Sequence, residues 1–255
     1  MLSRREAALL RGLHQRKLRE SEGAFLAEGV RTVEDLLASP LRVRFLACSS
    51  SLEDSGRGRA LREEAARRGV EVREVAEAEL RGYAGTETPQ GVIAVAETPR
   101  RGLDDVEVSA DPAVVLVLDA VQDPGNFGTL VRTAEALGAA GVVALPGTVD
   151  PWNPKSVRAA MGSSFRLPVV AAGWEEAAPW LERGGLRVVA SVVGAPPLGA
   201  ERPARAALVV GNEGAGVSAE TRARAHLEVG IPLRGRAESL NVTSAAAILL
   251  YDLLR

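Results

Sequence analysis

Leu118-Asp119-Ala120-Val121-Gln122-Asp123-Pro124-Gly125-Asn126-Phe127-Gly128-Thr129-Leu130-Val131-Arg132 continues an apolar run that begins at Val114. An unbroken run of valine and leucine, closed by a Pro-Gly turn and followed by a helical pattern, reads as a strand buried on both faces that hands over to a helix. The intervening loop lies outside the carboxyl end of the strand, where open α/β sheets bind ligands. Asn126 opens the expected helix (about 127–138), and Arg132 follows nearly two turns later, so both are expected toward one face. A capped helix with a surface arginine is the plainer account of the same residues.

The same alternation continues to the C-terminus. Strands are expected at Val142 to Leu145, Arg187 to Ser191 and Ala207 to Val210, with a short one ending at Ile231. Helices are expected at 217–225 and from Ser244 to Leu254, and Asn153-Pro154 is a good N-cap and first-turn pair for a short helix. Alternating strands and helices specify an α/β fold, a parallel sheet with helices on both faces.

Two further segments carry polar groups where a structural element has little use for them. Ala207-Leu208-Val209-Val210-Gly211-Asn212-Glu213-Gly214-Ala215-Gly216-Val217 is a strand entering a glycine-rich turn. Its Gly-x-x-Gly-x-Gly spacing is not the dinucleotide fingerprint, and no acidic residue follows at a strand end about 20 positions on. The unusual member is Glu213, a carboxylate in a turn where backbone can approach a ligand closely. Ile231-Pro232-Leu233-Arg234-Gly235-Arg236-Ala237-Glu238-Ser239-Leu240-Asn241-Val242-Thr243 then sets a hydroxyl, an amide and free N–H groups at the start of an apolar helix. Ser239 or Asn241 as a simple cap is the plain alternative.

The N-terminal half is a smaller α/β pattern. Strands are expected at Phe25 to Glu28, Val43 to Cys48, Val70 to Val75 and Gly91 to Ala96, and helices at Thr32 to Ala38 and 57–68. Residues 1–20 read as one basic helix, with Arg4, Arg5, Arg11, Arg16, Lys17 and Arg19 either solvated or facing phosphates. The expected division is 1–97, a linker at 98–112 of Pro-, Gly- and Asp-rich composition, and 113–255.

With 46% hydrophobic and 25% charged residues the chain is globular, and its formal charge of −2 carries no global nucleic-acid signature. A single cysteine, Cys48, excludes a disulfide framework and a cysteine metal site. No apolar run approaches membrane-spanning length and no signal peptide is evident, so a cytoplasmic protein is expected, with no metal.

Taken together, Asn-x-Gly-x-x-x-Arg, Gly-x-Glu-Gly-x-Gly and Ile-Pro-Leu with Ser-Leu-Asn-Val-Thr resemble the SpoU (TrmH) family of RNA ribose 2′-O-methyltransferases over residues 114–254. Phe25-Leu26-Ala27-Glu28-Gly29 and Thr88-Pro89-Gln90-Gly91 resemble that family's substrate-binding domain, related in shape to a ribosomal RNA-binding protein. The resemblance implies a C-terminal trefoil knot, S-adenosylmethionine as cofactor and a homodimer whose active site is completed across two chains. It matches Gly211, Ile231, Leu233, Leu240 and Asn241 to cofactor binding, and Asn126, Arg132, Glu213, Ser239 and Asn241 to the functional polar set. Thr243 stands where serine is common, which keeps the hydroxyl. Family logic makes Arg132 the base. Its guanidinium chemistry also suits fixing a phosphate and stabilising a developing alkoxide, with Glu213 orienting it or accepting the proton. Large-subunit ribosomal RNA is the expected substrate. A transfer RNA 2′-O-methyltransferase and a non-catalytic binder of structured RNA are the competing readings.

Overall fold

The computed structural model describes residues 1–199 and 202–255, which separate into two compact units. One comprises Met1–Arg100 with Asp150–Phe165, the other Arg101–Val149 with Arg166–Arg255. Among the described residues no helix is long and apolar enough to cross a membrane.

The first unit opens with two helices, α1 (Arg4–Gly12) and α2 (Arg16–Glu22), in place of the single helix expected over 1–20. Ser3 and Glu6 form a reciprocal capping box at the start of α1. The break after α1 has a local cause. Arg19 Nη1 donates to the carbonyls of Leu13 and His14 at 2.8 and 2.9 Å, taking the place of helical N–H donors. Arg19 is only 4% exposed and also donates through Nε to Asp150 at 2.7 Å. This member of the basic run is therefore part of the packed interior and does not face phosphate.

The sheet of this unit is built from β1 (Ala24–Glu28), β2 (Val43–Cys48), β3 (Val72–Glu74) and β4 (Val92–Glu97), in the order β1-β4-β2-β3. β4 runs antiparallel to β1 and β2, and β3 is parallel to β2. Helices α3 (Val30–Ala38), α4 (Gly56–Arg67) and α5 (Glu77–Tyr83) connect the strands. Successive side chains of a strand face opposite sides. Phe25 and Ala27 accordingly join a core with Val33, Leu36 and Leu61, while Ala24 and Leu26 join one with Leu10, Leu13, Leu80 and Tyr83. Burial on both faces explains why β1 and β4 read as continuous apolar runs.

The second unit contributes β5 (Ala113–Asp119), α6 (Pro124–Leu137) and β6 (Gly141–Ala144), and α7 (Pro154–Ala160) follows in the segment that belongs to the first unit. Asn153 caps α7 with Pro154 in its first turn, as the Asn-Pro pair indicates. Trp152, Val157 and Phe165 complete the Phe25 core, and the rings of Phe25 and Trp152 lie 4.5 Å apart. Nothing local marks 150–165 as different from the pattern around it, since the strand it packs on, β1, is more than 100 residues away.

After α8 (Ser163–Arg166), the second unit continues with β7 (Val169–Ala171), α9 (Trp174–Arg183), β8 (Arg187–Ser191), β9 (Arg205–Gly211), α10 (Ala219–Arg224), β10 (Leu227–Val229) and α11 (Val242–Leu254). Its six strands are all parallel, in the order β10-β8-β9-β5-β6-β7. All seven residues of central β5 are buried, as a sheet covered on both faces requires. The sequence reading missed α9, which lacks a side-chain cap and carries Pro179 in its interior, both weak helix signals.

Arg19→Ala should destabilise the protein by about 3–5 kcal/mol, because it strands Asp150 and two carbonyls. A loss below about 1 kcal/mol in urea unfolding would show that Arg19 does not hold the interior together. A second expectation concerns acid. Burial pushes the Glu6 carboxyl up, but bonds from Ser3 N–H and Arg73 outweigh it and bring it down to about 2. A folded value below the unfolded one means that this contribution is complete above the ordinary carboxylate range and lost as pH falls toward about 2. Amide exchange in α1 should therefore stay protected at pH values where free carboxylates already titrate.

Candidate active site

β5 and β9 are neighbours, and their parallel register sets Asp119 opposite Gly211. Both strands end at one level, so the loops that leave them run side by side. Glu213 ties these loops together. Its carboxylate accepts from the N–H groups of Gln122 (3.2 Å) and Asp123 (3.1 Å) and from Asn126 Nδ2 (3.0 Å). Asp123 caps α6 by accepting from Asn126 N–H at 2.8 Å, so the helix starts at Pro124, ahead of the expected position. Burial pushes the Glu213 carboxyl up. The Asn126 amide and the N–H groups of Glu213, Asp123 and Gln122 outweigh that and hold it below the usual carboxylate range. A carboxylate so held is ionised at neutral pH, anchors the loops and is a poor proton acceptor.

Asn212, which the sequence reading passed over, shapes the turn itself. Its Nδ2 donates to the Ala120 carbonyl, and its Oδ1 accepts from Gly214 and Ala215 N–H, each at 3.0 Å. An asparagine inside a glycine turn is the signal that marks such an Asx arrangement. The backbones of Asn212 and Gly216 exchange both hydrogen bonds, which folds the turn onto Gly211. A Cβ on Gly211 would stand 2.1 Å from the Gly216 carbonyl carbon, so glycine is required here for close approach. Beneath the turn, buried Asp119 accepts from Ser218 N–H at 2.7 Å and from the Thr221 hydroxyl at 2.6 Å, locking the start of α10.

α11 brings the third segment. Asn241 is its N-cap, its Oδ1 accepting from Thr243 N–H (2.8 Å) and the Thr243 hydroxyl (2.6 Å). This leaves Nδ2 for a long contact of 3.4 Å to Asn126 Oδ1. Asn126, Glu213 and Asn241, from three separate segments, therefore meet at one end of the sheet.

A second set lies in a cleft. Ile231, Leu233, Ser239 and Leu240 line it with residues 191–193, Gly230 and Ala245. Val193, Leu233 and Leu240 are 72%, 37% and 38% exposed, an apolar surface that marks a binding site more often than a bare exterior. Gly230 is another close approach, where a Cβ would stand 2.4 Å from the Ala195 carbonyl oxygen. Apolar walls with nearby backbone polar groups suit a nucleoside held by shape and main chain. Gly211 is not part of this lining and sits at the end of β9 under the turn.

Arg132 is exposed on α6. Six residues at about 100° each set it about 120° around the helix from Asn126, so the two do not share one face. The hydrogen bonds described at Glu213 come from Gln122, Asp123 and Asn126. The expected polar set is thus gathered in part: three members at the sheet end, Ser239 in the adjoining cleft, and Arg132 on the flank of α6.

Comparison with known proteins gives this geometry a context. Residues 113–251 match the model of the SpoU rRNA methylase family, and residues 8–94 match an MRM3-like substrate-binding domain. The 23S rRNA (guanosine(2553)-2′-O)-methyltransferase of Bacillus subtilis is 39% identical over 94% of this chain and 92% of its own length. Crystal structures of an AdoMet-bound rRNA methyltransferase from Sinorhizobium meliloti and of the SpoU methyltransferase AviRb from Streptomyces viridochromogenes with AdoMet superpose with TM-scores of 0.85 and 0.86. The identities are 31% and 30%, with 99% of this chain covered in both and 95% and 97% of theirs.

Glu213→Gln should loosen the clamp, because an amide nitrogen then faces donors. Amide exchange at Gln122 and Asp123 is expected to accelerate roughly ten-fold or more. The midpoint of global unfolding should change little. Unchanged exchange would show that Glu213 does not hold these loops.

Proposed function

The chain belongs to the SpoU rRNA methylase family, and on that premise we propose that it methylates a ribose 2′-hydroxyl of large-subunit ribosomal RNA with S-adenosylmethionine. The observation that carries the reading is the meeting of Asn126, Glu213 and Asn241 at the carboxyl end of the sheet, with the apolar cleft formed by Ile231, Leu233 and Leu240. The full-length relative is named for the same reaction on 23S rRNA. The match of residues 8–94 to a substrate-binding domain supports a structured RNA as substrate, with that unit as its holder.

The cofactor supplies an electrophilic methyl group on a sulfonium. Ile231, Leu233 and Leu240 would hold its adenosine end through shape and backbone, with Gly211 keeping the neighbouring turn tight. That methyl would pass to the attacking 2′-oxygen, the sulfur would leave as a neutral thioether, and the hydroxyl proton would be released to solvent water at this exposed end of the sheet. Asn126, Ser239 and Asn241 position the reacting groups by hydrogen bonds. Arg132 contributes a fixed positive charge to the RNA phosphate and the developing alkoxide. Glu213, ionised and held by three donors, serves as a positioning residue for Asn126 rather than as the base.

Two structural features belong to the same proposal. The C-terminal segment threads as a trefoil knot, a reading supported by the tight passage of Gly230 against residues 192–196 and by the packing of α11 on α6 and β9 after the chain leaves edge strand β10. The active protein is a cytoplasmic homodimer. Ile248 and Tyr251, one turn apart on α11 and 45% and 59% exposed, are apolar surface for a second copy to cover.

The test is methyl transfer from labelled S-adenosylmethionine to unmodified 23S rRNA and, separately, to transfer RNA. Label on a single ribosomal 2′-oxygen is expected, and label on transfer RNA alone would overturn the substrate. Arg132→Ala should lower turnover roughly a hundred-fold or more, with cofactor affinity within about three-fold of the parent. Equal loss of cofactor binding would remove Arg132 from the chemistry.

A further inference from the structure

The two N-terminal segments with family character, Glu28-Gly29 and Thr88-Pro89-Gln90, converge on a single pocket of about 360 Å³ within the first unit. It opens where β1 passes into α3, with Thr32, Pro89 and Gln90 among its walls, and α7 supplies Arg158. Gln90 accepts from Val30 N–H at 3.0 Å, which fixes the pocket wall to the start of α3.

Two charged side chains line this pocket with hydrogen-bonding capacity unfilled. The Glu28 side chain is 5% exposed. Its Oε1 accepts from Gly85 N–H at 2.9 Å, but its Oε2 has no hydrogen-bond partner. Arg158 Nη1 is likewise buried without one. The two atoms stand 3.6 Å apart, close enough to attract and too far to bond. The carboxylate of a pair left this way is costly, since buried Glu28 does not recover the hydration it lost, while the Arg158 side chain, 35% exposed, keeps part of its own. A group that donates to Glu28 and accepts from Arg158 would satisfy both.

We infer that this pocket receives a guanine base. A carboxylate accepts only, so it selects an edge with adjacent donors, and among the four bases guanine alone sets two, N1–H and the 2-amino group, beside an acceptor, O6. Glu28 takes the two donors, one on Oε2 and the other on the second lone pair of Oε1 beside Gly85 N–H, and Arg158 takes O6. Uracil would turn a carbonyl toward the carboxylate, and adenine has no second donor beside its amino group. Arg31, exposed on the first turn of α3 and lining the pocket, is the cation available to the attached phosphate. Unpaired bases are the features by which proteins read RNA sequence. The guanine is therefore assigned to the RNA substrate, which rests on the RNA reading above; free guanine nucleotide has the same chemistry and is separated by the test.

The experiment uses the full chain and, as probes, GMP, AMP and UMP by calorimetry, and methyl transfer to 23S rRNA. GMP should bind in preference to AMP and UMP, and Glu28→Gln should weaken it roughly ten-fold or more. In methyl transfer the same variant should raise KM for RNA by a similar factor and leave kcat near the parent value. Thr88→Trp, at an exposed loop position lining the pocket, fills the space while leaving Glu28 and Arg158 in place, and should act alike if Glu28→Gln folds poorly. Equal binding of the three nucleotides, or GMP binding and KM unchanged in both variants, would overturn the assignment. GMP binding that depends on Glu28 in a protein that methylates neither RNA would keep the guanine site, assign it to free nucleotide and defeat the RNA reading alone. Methyl transfer by the parent with no effect of either variant would keep the RNA reading and defeat the pocket.

Discussion

The parallel pairing of β5 with β9 is the constraint on which the candidate site depends. It is a backbone ladder between two buried strands separated by a long stretch of chain, and it forces their carboxyl ends to the same level. Everything polar at the site is then arranged by loops that have nowhere else to go. Asn212 folds one loop, Asp123 caps the helix after the other, and Glu213 joins them with three hydrogen bonds. The close approach at Gly211 follows from the same crowding, because the turn folds back on the end of β9 at distances that no side chain permits, and Gly230 makes a separate one against the segment that follows β8.

Charged residues divide into those consumed by the fold and those left with capacity. Arg19 looks on paper like a nucleic-acid contact, yet it is buried and fully engaged with Asp150 and two carbonyls. Glu213 sits in a glycine loop of the kind that holds ligands, yet its oxygens are occupied by the protein's own donors. Glu28 and Arg158 are the opposite case, a buried carboxylate and a half-buried guanidinium that keep one acceptor and one donor unfilled. Residue type alone does not separate these cases. Only the count of partners against the hydration lost on burial does so.

The strands were the most legible elements. Val43–Cys48 and Arg187–Ser191 match their expected bounds, because short β-branched runs between polar breaks have few other readings. Helices without caps or with a proline, such as α9, were not legible, and the break between α1 and α2 was hidden because it is imposed by Arg19. The three chemistry-bearing segments stood out as polar residues on otherwise apolar elements. Their assembly was not readable: Asn126 and Arg132 share a helix without sharing a face, and Asn212 gained its role only once the turn was closed.

The sequence by itself determined the alternation of buried strands and helices, and hence a parallel sheet, along with the identity of the loops at its carboxyl end. It did so because hydrophobic period and turn chemistry are local properties that each segment carries with it. Tertiary structure alone decided that residues 150–165 pack with the first unit, that Glu213 closes on Asn126, and that Glu28 faces Arg158. Those outcomes are set by burial and by contacts across 87 to 130 positions of chain, in which each partner's free energy depends on what lies opposite it.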